Sequence, residues 1–367
     1  RTKGLEISSL ELKNLRAELA TLASSIISPQ DNRDSIESRL SHLFENIEKL
    51  LFGIAITKEL TLRTMDRLLS YGEYLSSVIL EEYLKRQNID VQFFDSRNLI
   101  ITDSNYGNAK PILEKTIQAI KSNLLPAFKK SNLLFLPGFI GGSETGTITT
   151  MGFESSNLTA LLIASIINAR EVIFWTDVPG IRTADPKIVA DTVLIPEISF
   201  EDARMASFNG LKLIHPTMYH YFVRNPTIDY QYKSAFTPEA GTSFVKEQTK
   251  SRAKMILISE PYTYKEYLPE EKYELPSNSV FVNLSKEGLF LVEEKSCENI
   301  FEEECLSIIS LLNFDTKQVF EVLSKTNSNL HLLYTNPGTG VCKIFARTSE
   351  AEYMANILHN FLVVKNK

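Results

Sequence analysis

The residues best able to do chemistry lie in Trp175-Thr-Asp-Val-Pro-Gly-Ile-Arg-Thr-Ala-Asp-Pro-Lys187. The apolar run Val172-Ile-Phe-Trp175 reads as a strand that ends at a hydroxyl and a carboxylate, Thr176 and Asp177. The chain then turns at Pro179-Gly180 and offers two cations, Arg182 and Lys187, around Asp185-Pro186. In sheets covered by helices, ligands sit at the carboxyl ends of strands, where loops present free N–H groups. A cation pair at such a turn suits the phosphates of a nucleotide, with the base lying against the loop. A charged surface turn is the plainer alternative, and the length and order of the segment argue against it. A second segment, Asn209-Gly-Leu-Lys-Leu-Ile-His-Pro216, sets Lys212 beside a glycine and ahead of a histidine–proline step. Lys212 reads as a phosphate ligand. His215, alone between apolar residues, reads as a structural hydrogen-bond partner. A third, Pro137-Gly-Phe-Ile-Gly-Gly142, follows a short apolar run. Its glycines let backbone approach a substrate closely, although by themselves these residues are an ordinary glycine turn.

These segments need elements to hold them. Apolar residues at three- and four-residue steps predict helices over 9–30 and 33–56, with a turn near Pro29. Further helix is expected over 60–87, interrupted around Tyr71-Gly72-Glu73, and another over about 110–124. Short strands are expected at 91–95, 99–102 and 133–136, a helix from Ser155 to Ala169, and a strand at 172–176. Strands alternating with helices predict an α/β sheet covered on both faces. The first domain is expected over 1–250, ending after Gly241-Thr-Ser-Phe-Val245, and the second over 251–367. In the latter, strands are expected at 254–258, 280–283, 288–292, 330–334 and 341–345. Helices are expected at 315–323 and 349–362, the last capped by Ser349.

Composition bounds the function from another side. The 367 residues carry a net charge of −6 with both signs interleaved, so nothing points to a nucleic-acid groove or a basic membrane-facing cluster. No apolar run is long enough to span a bilayer, and Arg1-Thr-Lys-Gly-Leu-Glu-Ile has no signal-peptide core. Three cysteines, Cys297, Cys305 and Cys342, make a poor disulfide framework and a poor zinc site. They read as reduced thiols of a cytoplasmic protein.

In combination, the motifs resemble the aspartate kinases of the amino-acid kinase family. WTDVPGIRTADPK, IPEISFEDARMASFNGLKLIHP and FTPEAGTSF stand in that family's order, as do LSYGEYLSSVILEEYLKRQNIDVQFFDSR and GFIG upstream. The resemblance covers roughly residues 35–245 and is specific in a way no single short motif is. It implies a three-layer αβα amino-acid-kinase fold followed by an α+β, ferredoxin-like ACT regulatory region whose first unit is reduced. It implies transfer of phosphate from ATP, with Mg²⁺, to the side-chain carboxylate of L-aspartate, the first step toward lysine, threonine and methionine. By position, Glu73 holds the aspartate, while Phe139 and Ser156 line its pocket. Thr176, Asp177, Arg182 and Lys187 fall on the ATP loop, and Lys212 lies near the nucleotide phosphates. From about 304 onward the order strand–helix–strand–strand–helix resembles an ACT module. Such modules imply a homodimer, with a purely structural dimerisation role weighted equally with effector binding.

Two departures bear on activity. The family's opening Lys-Phe-Gly-Gly-Thr-Ser loop, whose lysine neutralises the transferring phosphoryl group, does not occur in these residues. It lies upstream of residue 1 or has been lost. The family's Gly-Arg-Gly-Gly-Ser-Asp loop here reads Gly152-Phe-Glu-Ser-Ser-Asn157. Phe153 replaces an arginine that clamps the substrate carboxylate, and phenylalanine makes no bidentate ion pair. Asn157 replaces an aspartate. These changes keep two alternatives open: a catalytically impaired regulatory or sensor protein, and an amino-acid kinase with another acceptor.

Overall fold

The computed structural model describes residues 2–26, 33–152, 155–238, 241–247, 252–259, 261–267, 279–285, 288–293, 305–325, 332–336 and 340–365. The expected turn near Pro29 and the residues Phe153 and Glu154 lie outside them, as does Cys297. The chain folds as two compact units, Arg1–Ala169 and Arg170–Lys367.

In the first unit, three helices pack side by side: α1 (Thr2–Ile26), α2 (Arg33–Thr57) and α3 (Leu62–Arg86). Their shared core takes Ile36, Leu40, Phe44 and Ile47 from α2 and Tyr71, Leu75, Val78 and Ile79 from α3. Both sets repeat at three- and four-residue steps, as an amphipathic stripe must. α3 runs unbroken through Tyr71-Gly72-Glu73, against the expected interruption. A mid-helix glycine costs only about 1 kcal/mol, and burial of Tyr71 and Leu75 on either side of it outweighs that. The Thr61 side chain caps the helix by accepting from the Thr64 N–H.

Small sheets follow. β1 (Val91–Phe93) runs parallel to β3 (Leu133–Phe135). β2 (Ile101–Thr102) runs parallel to β4 (Ile140–Ser143), which returns antiparallel as β5 (Ile148–Thr150). The expected helix near 110–124 begins later, as α4 (Leu113–Ala119), and widens into a π turn over Ile120–Leu124. It ends as α5 (Leu125–Ala127), where Pro126 supplies no N–H to a regular ladder. α6 (Ser155–Ile167) closes the unit.

The second unit opens on a four-stranded sheet in the order β6 (Glu171–Thr176), β8 (Asp229–Ser234), β9 (Thr242–Val245), β7 (Glu197–Ser199). β6 is parallel to β8, and β9 is antiparallel to β8 but parallel to β7. An aromatic cluster fills one face: Phe174 stacks on Tyr232 at 4.9 Å, and Phe222 meets Phe244 at 4.9 Å. Helices α7 (Phe200–Phe208) and α8 (Met218–Arg224) supply Phe200 and Phe222 to it.

An antiparallel sheet then runs β12 (Ser279–Ser285), β13 (Gly288–Glu293), β11 (Tyr262–Tyr267), β14 (Cys305–Leu312), β16 (Val341–Arg347), β15 (Leu332–Asn336). β10 (Met255–Ile258) also pairs with β14. α9 (Thr316–Leu323) and α10 (Thr348–His359) bury their apolar faces in the same core as β14 and β16. Every residue of β14 is buried, as expected of a strand covered on both faces. The order β14–α9–β15–β16–α10 is the one expected from the sequence. Two details differ. α10 begins at Thr348 without a side-chain cap, so Ser349 lies in its first turn. Cys305 is disulfide-bonded rather than reduced, while Cys342 is a free, buried thiol.

Asp66, fully buried on α3, ties the first unit together. Its carboxylate accepts from the Gly107 N–H at 3.0 Å, the Thr150 N–H at 3.0 Å and the Thr150 hydroxyl at 2.6 Å. Asp66→Ala strands the two donors of the buried Thr150 and loosens the Gly107 N–H, so it is expected to destabilise the chain by about 2–4 kcal/mol. Urea unfolding measures this, and a loss below about 1 kcal/mol would contradict the assigned role.

Candidate functional site

On the first unit, three candidate residues are positioned from α3, the loop before β4, and α6. Glu73 stands two helical turns beyond Asp66, hence on the same face of α3. Asp66 grips Thr150, and one residue further on the Met151 N–H donates to the Phe139 carbonyl at 3.0 Å. Phe139 adopts φ +67°, a left-handed conformation that aims the chain out of the preceding turn. Gly138 beside it admits no side chain, because a Cβ would lie 2.8 Å from the Ser156 Cα. The GFIG loop is thus packed on the first turn of α6, with Gly138, the neighbour of Phe139, against Ser156. Burial pushes the half-buried Glu73 carboxyl above its usual range. Asn157 is partly exposed, one residue on from Ser156.

On the second unit, β6 delivers Thr176 and Asp177 to the carboxyl end of its sheet, where Thr176 Oγ1 donates to Asp177 Oδ1 at 3.2 Å. The turn that follows is clamped by Thr242 in β9. Its hydroxyl accepts from the Ile181 N–H at 2.9 Å and donates to the Ile195 carbonyl at 2.6 Å. Gly180 has φ +123°, and a Cβ there would lie 2.8 Å from the same hydroxyl. The two arms of the turn then pair: Ile195 N–H to Ile181 O at 2.8 Å, Thr183 N–H to Val193 O at 2.9 Å.

A cavity of about 390 Å³ opens on this turn. Asp177, Arg182, Lys187 and Lys212 all line it, and Thr176 does not. Arg182 is braced rather than mobile: its Nε donates to Thr192 Oγ1 at 2.7 Å and an Nη to the Thr192 carbonyl at 2.6 Å. The Lys187 N–H is held by Asp185 Oδ1 at 2.9 Å. His215 lies outside the cavity lining. Its Nδ1 meets Thr217 Oγ1 at 2.7 Å, and burial lowers its pKa. That is the structural role expected of it.

Sequence reasoning passed over the second wall of this cavity, formed by Ser307, Thr348, Glu352 and their neighbours. α10 also bonds to the turn directly. Asn356 Nδ2 donates to the Ile188 carbonyl at 2.9 Å, and the buried His359 Nε2 meets Thr183 Oγ1 at 2.8 Å. A further buried carboxylate, Asp202 on α7, takes the Arg252 Nε at 3.0 Å and Nη2 at 2.6 Å, with Asn313 Nδ2 at 3.2 Å. In sequence, Asp202 and Thr242 stood inside matched motifs without a role. Asn356 and His359 gave no signal beyond helical spacing.

The profile of the Amino acid kinase family matches residues 21–227. Lysine-sensitive aspartokinase 3 of Escherichia coli K12 is 35% identical over 217 residues, 59% of this chain and 47% of that protein. Chloroplastic aspartokinase 3 of Arabidopsis thaliana is 34% identical over 218 residues, 58% of this chain and 39% of that one. The chain thus spans about half or less of the curated relatives it matches. The crystal structure of E. coli aspartokinase III with aspartate and ADP superposes with a TM-score of 0.80 at 24% identity, over 97% of this chain and 87% of that chain. The form of the same enzyme with lysine and aspartate gives 0.73 at 23% identity, over 96% and 86%. The shared fold bears out the expected class, an α/β amino-acid-kinase fold followed by an α+β region. The chain belongs to the amino acid kinase family.

Proposed function

We propose that this chain phosphorylates the side-chain carboxylate of L-aspartate with ATP. The observation that carries the proposal is the convergence of Asp177, Arg182, Lys187 and Lys212 on one cavity. The relatives with this family's motifs are aspartokinases, and the neighbouring E. coli structure holds aspartate and ADP. In this reading, an aspartate carboxylate oxygen bonds to the γ-phosphorus, the bond from that phosphorus to the β–γ bridging oxygen breaks, and ADP leaves with the electron pair. Lys187, Lys212 and the braced Arg182 hold the phosphates and offset the charge that builds on them. Glu73 receives the substrate ammonium, and Phe139 and Ser156 shape its pocket. Mg²⁺ bound chiefly through the phosphates fits this lining. Asp177 and Asp185 offer carboxylates to it, and no group of three or more metal-ligating side chains occurs among the described residues.

The region after residue 250 is proposed as an ACT-like regulatory and dimerisation module, its first unit reduced, with 1–250 as the kinase domain. We assign the protein to the cytoplasm, with no nucleic-acid or membrane partner. No helix among the described residues is long and apolar enough to cross a membrane. Phe153 and Asn157 favour a second reading, in which the acceptor differs from aspartate or turnover is impaired.

Incubation with ATP, Mg²⁺ and aspartate is expected to yield an acyl phosphate trapped by hydroxylamine. Lys212→Met should lower kcat/KM by about 10²–10³-fold. An acyl phosphate formed from a different amino acid, or none at all, would replace this reading with the second. Glu73 must be ionised to hold an ammonium, and its pKa is raised, so it loses charge earlier as pH falls. The KM for aspartate should therefore climb on acidification from a higher pH than an exposed glutamate would allow. Glu73→Gln should raise KM and flatten that profile; an unaltered profile would remove Glu73 from the pocket. Asn356→Leu deletes the tie to Ile188, worth about 1 kcal/mol. It should raise the KM for ATP about fivefold with kcat nearly unchanged, whereas a merely structural contact would leave KM alone.

A further inference from the structure

The first compact unit contains a cleft of about 820 Å³ that the proposed reaction does not use. α2 and α3 form its walls, with Phe93, Asp95 and Arg97 at one end and the β4–β5 connection at the other. Four arginines and a histidine stand in its lining: Arg39 and His42 from α2, Arg63 and Arg67 from α3, and Arg97. The single carboxylate in the lining is Asp95. Asp95 is already committed, because Arg97 Nε reaches its two oxygens at 3.0 and 2.9 Å and the Tyr74 hydroxyl donates at 3.1 Å. Burial works to raise its pKa, but the Arg97 hydrogen bonds outweigh this and hold it below the usual range. Arg39 is committed to Glu81 at 2.6 Å.

That leaves His42, Arg63 and Arg67 with no ion pair among the described residues. Arg63 and Arg67 stand four residues apart on one face of α3, where like charges repel by a few tenths of a kcal/mol. The cleft also receives two hydroxyls from buried residues, Tyr71 at 7% and Ser77 at 4% exposure. Neither hydroxyl hydrogen-bonds to another described residue. Spare cations and spare donors thus face one concavity, with no counter-charge left over. Two guanidinium forks suit the paired oxygens of a phosphate, and their joint charge favours a dianion or more.

We propose that this cleft binds a small phosphate-bearing polyanion, with Arg63 and Arg67 as its principal ligands. The site belongs to the first unit alone and holds whether or not the chain phosphorylates aspartate. Titration calorimetry of the full chain with inorganic pyrophosphate, at 150 mM KCl, tests it. Saturable binding is expected. R63Q/R67Q should weaken it at least tenfold, R63K/R67K should give an intermediate loss because lysine keeps the charge without the fork, and Lys212→Ala should leave it intact. All three substituted side chains are exposed, and circular dichroism verifies that each variant is folded. Absence of saturable heat overturns the proposal. So does binding that survives R63Q/R67Q, or binding that vanishes with Lys212→Ala, which would place the pyrophosphate in the other cavity.

Discussion

One hydroxyl, that of Thr242, fixes the turn that lines the cavity of about 390 Å³. A chain leaving a strand and reversing within a few residues exposes backbone groups that must find partners. Here the buried Thr242 supplies both: it accepts from Ile181 and donates to Ile195, closing the two arms of the turn on each other. The closeness of that hydroxyl is why Gly180 has no side chain. Because β9 lies between β8 and β7, Thr242 sits in the middle of the sheet rather than on a loose edge. The position of Arg182 follows from this. Its backbone bridges to Leu194 and its guanidinium to Thr192, so the cation is aimed by the arms of the turn. Pre-set charges of this kind cost no reorganisation when phosphate charge develops.

The far side of the same turn is apolar. Ala184 and Val189 are buried in the core that also contains Met354, Ala355 and Leu358 of α10 and Ile309 of β14. The turn that carries Arg182 and Lys187 therefore cannot shift without disturbing the packing of the C-terminal helix. Asn356 and His359 convert that packing into register, since each bonds a residue of the turn. A hydrogen bond from a buried histidine to a buried threonine is directional, whereas apolar contact tolerates sliding. Asp202 adds a third tie by binding Arg252 and Asn313, and so joins α7 to the entry of β10 and the end of β14. The cations and the C-terminal sheet consequently belong to one compact unit.

Much of this was legible in the sequence, for a specific reason. The Trp175–Lys187 segment announces itself because a strand, a proline–glycine turn and two cations occur in a fixed order. Four of the five candidates on the nucleotide side converge on one cavity; Thr176 is turned toward Asp177 instead. The helices α2 and α3 were readable because their buried residues keep a strict period. Asp66 was not, since a lone acid within a helix has the signature of a solvated face, and only tertiary contact with Gly107 and Thr150 reveals its burial. Gly72 misled in the other direction, because local propensity is weak against the packing of Tyr71 and Leu75. Ser349 followed the usual capping preference, yet the strand β16 runs straight into Thr348 and leaves no separate cap position.

Phe153 and Asn157 differ in kind from the residues that shape the loops. Residues that shape the loops, namely Asp66, Gly138, Thr242 and Gly180, satisfy buried backbone groups or permit close approach, and all keep the partners such roles demand. Phe153 and Asn157 belong to a different class: in the resemblance, the residues they replace contact the substrate directly. A scaffold decays first where buried polar groups lose partners, because each loss costs about 1–3 kcal/mol, while a contact residue can change at little cost to folding. The stability of the loops and the identity of the contact residues are therefore separate properties of this chain. The geometry of the turn that carries Arg182 and Lys187 is set by the fold. In the proposed reading the acceptor is chosen by other residues, among them Glu73, whose carboxyl is shifted upward by burial.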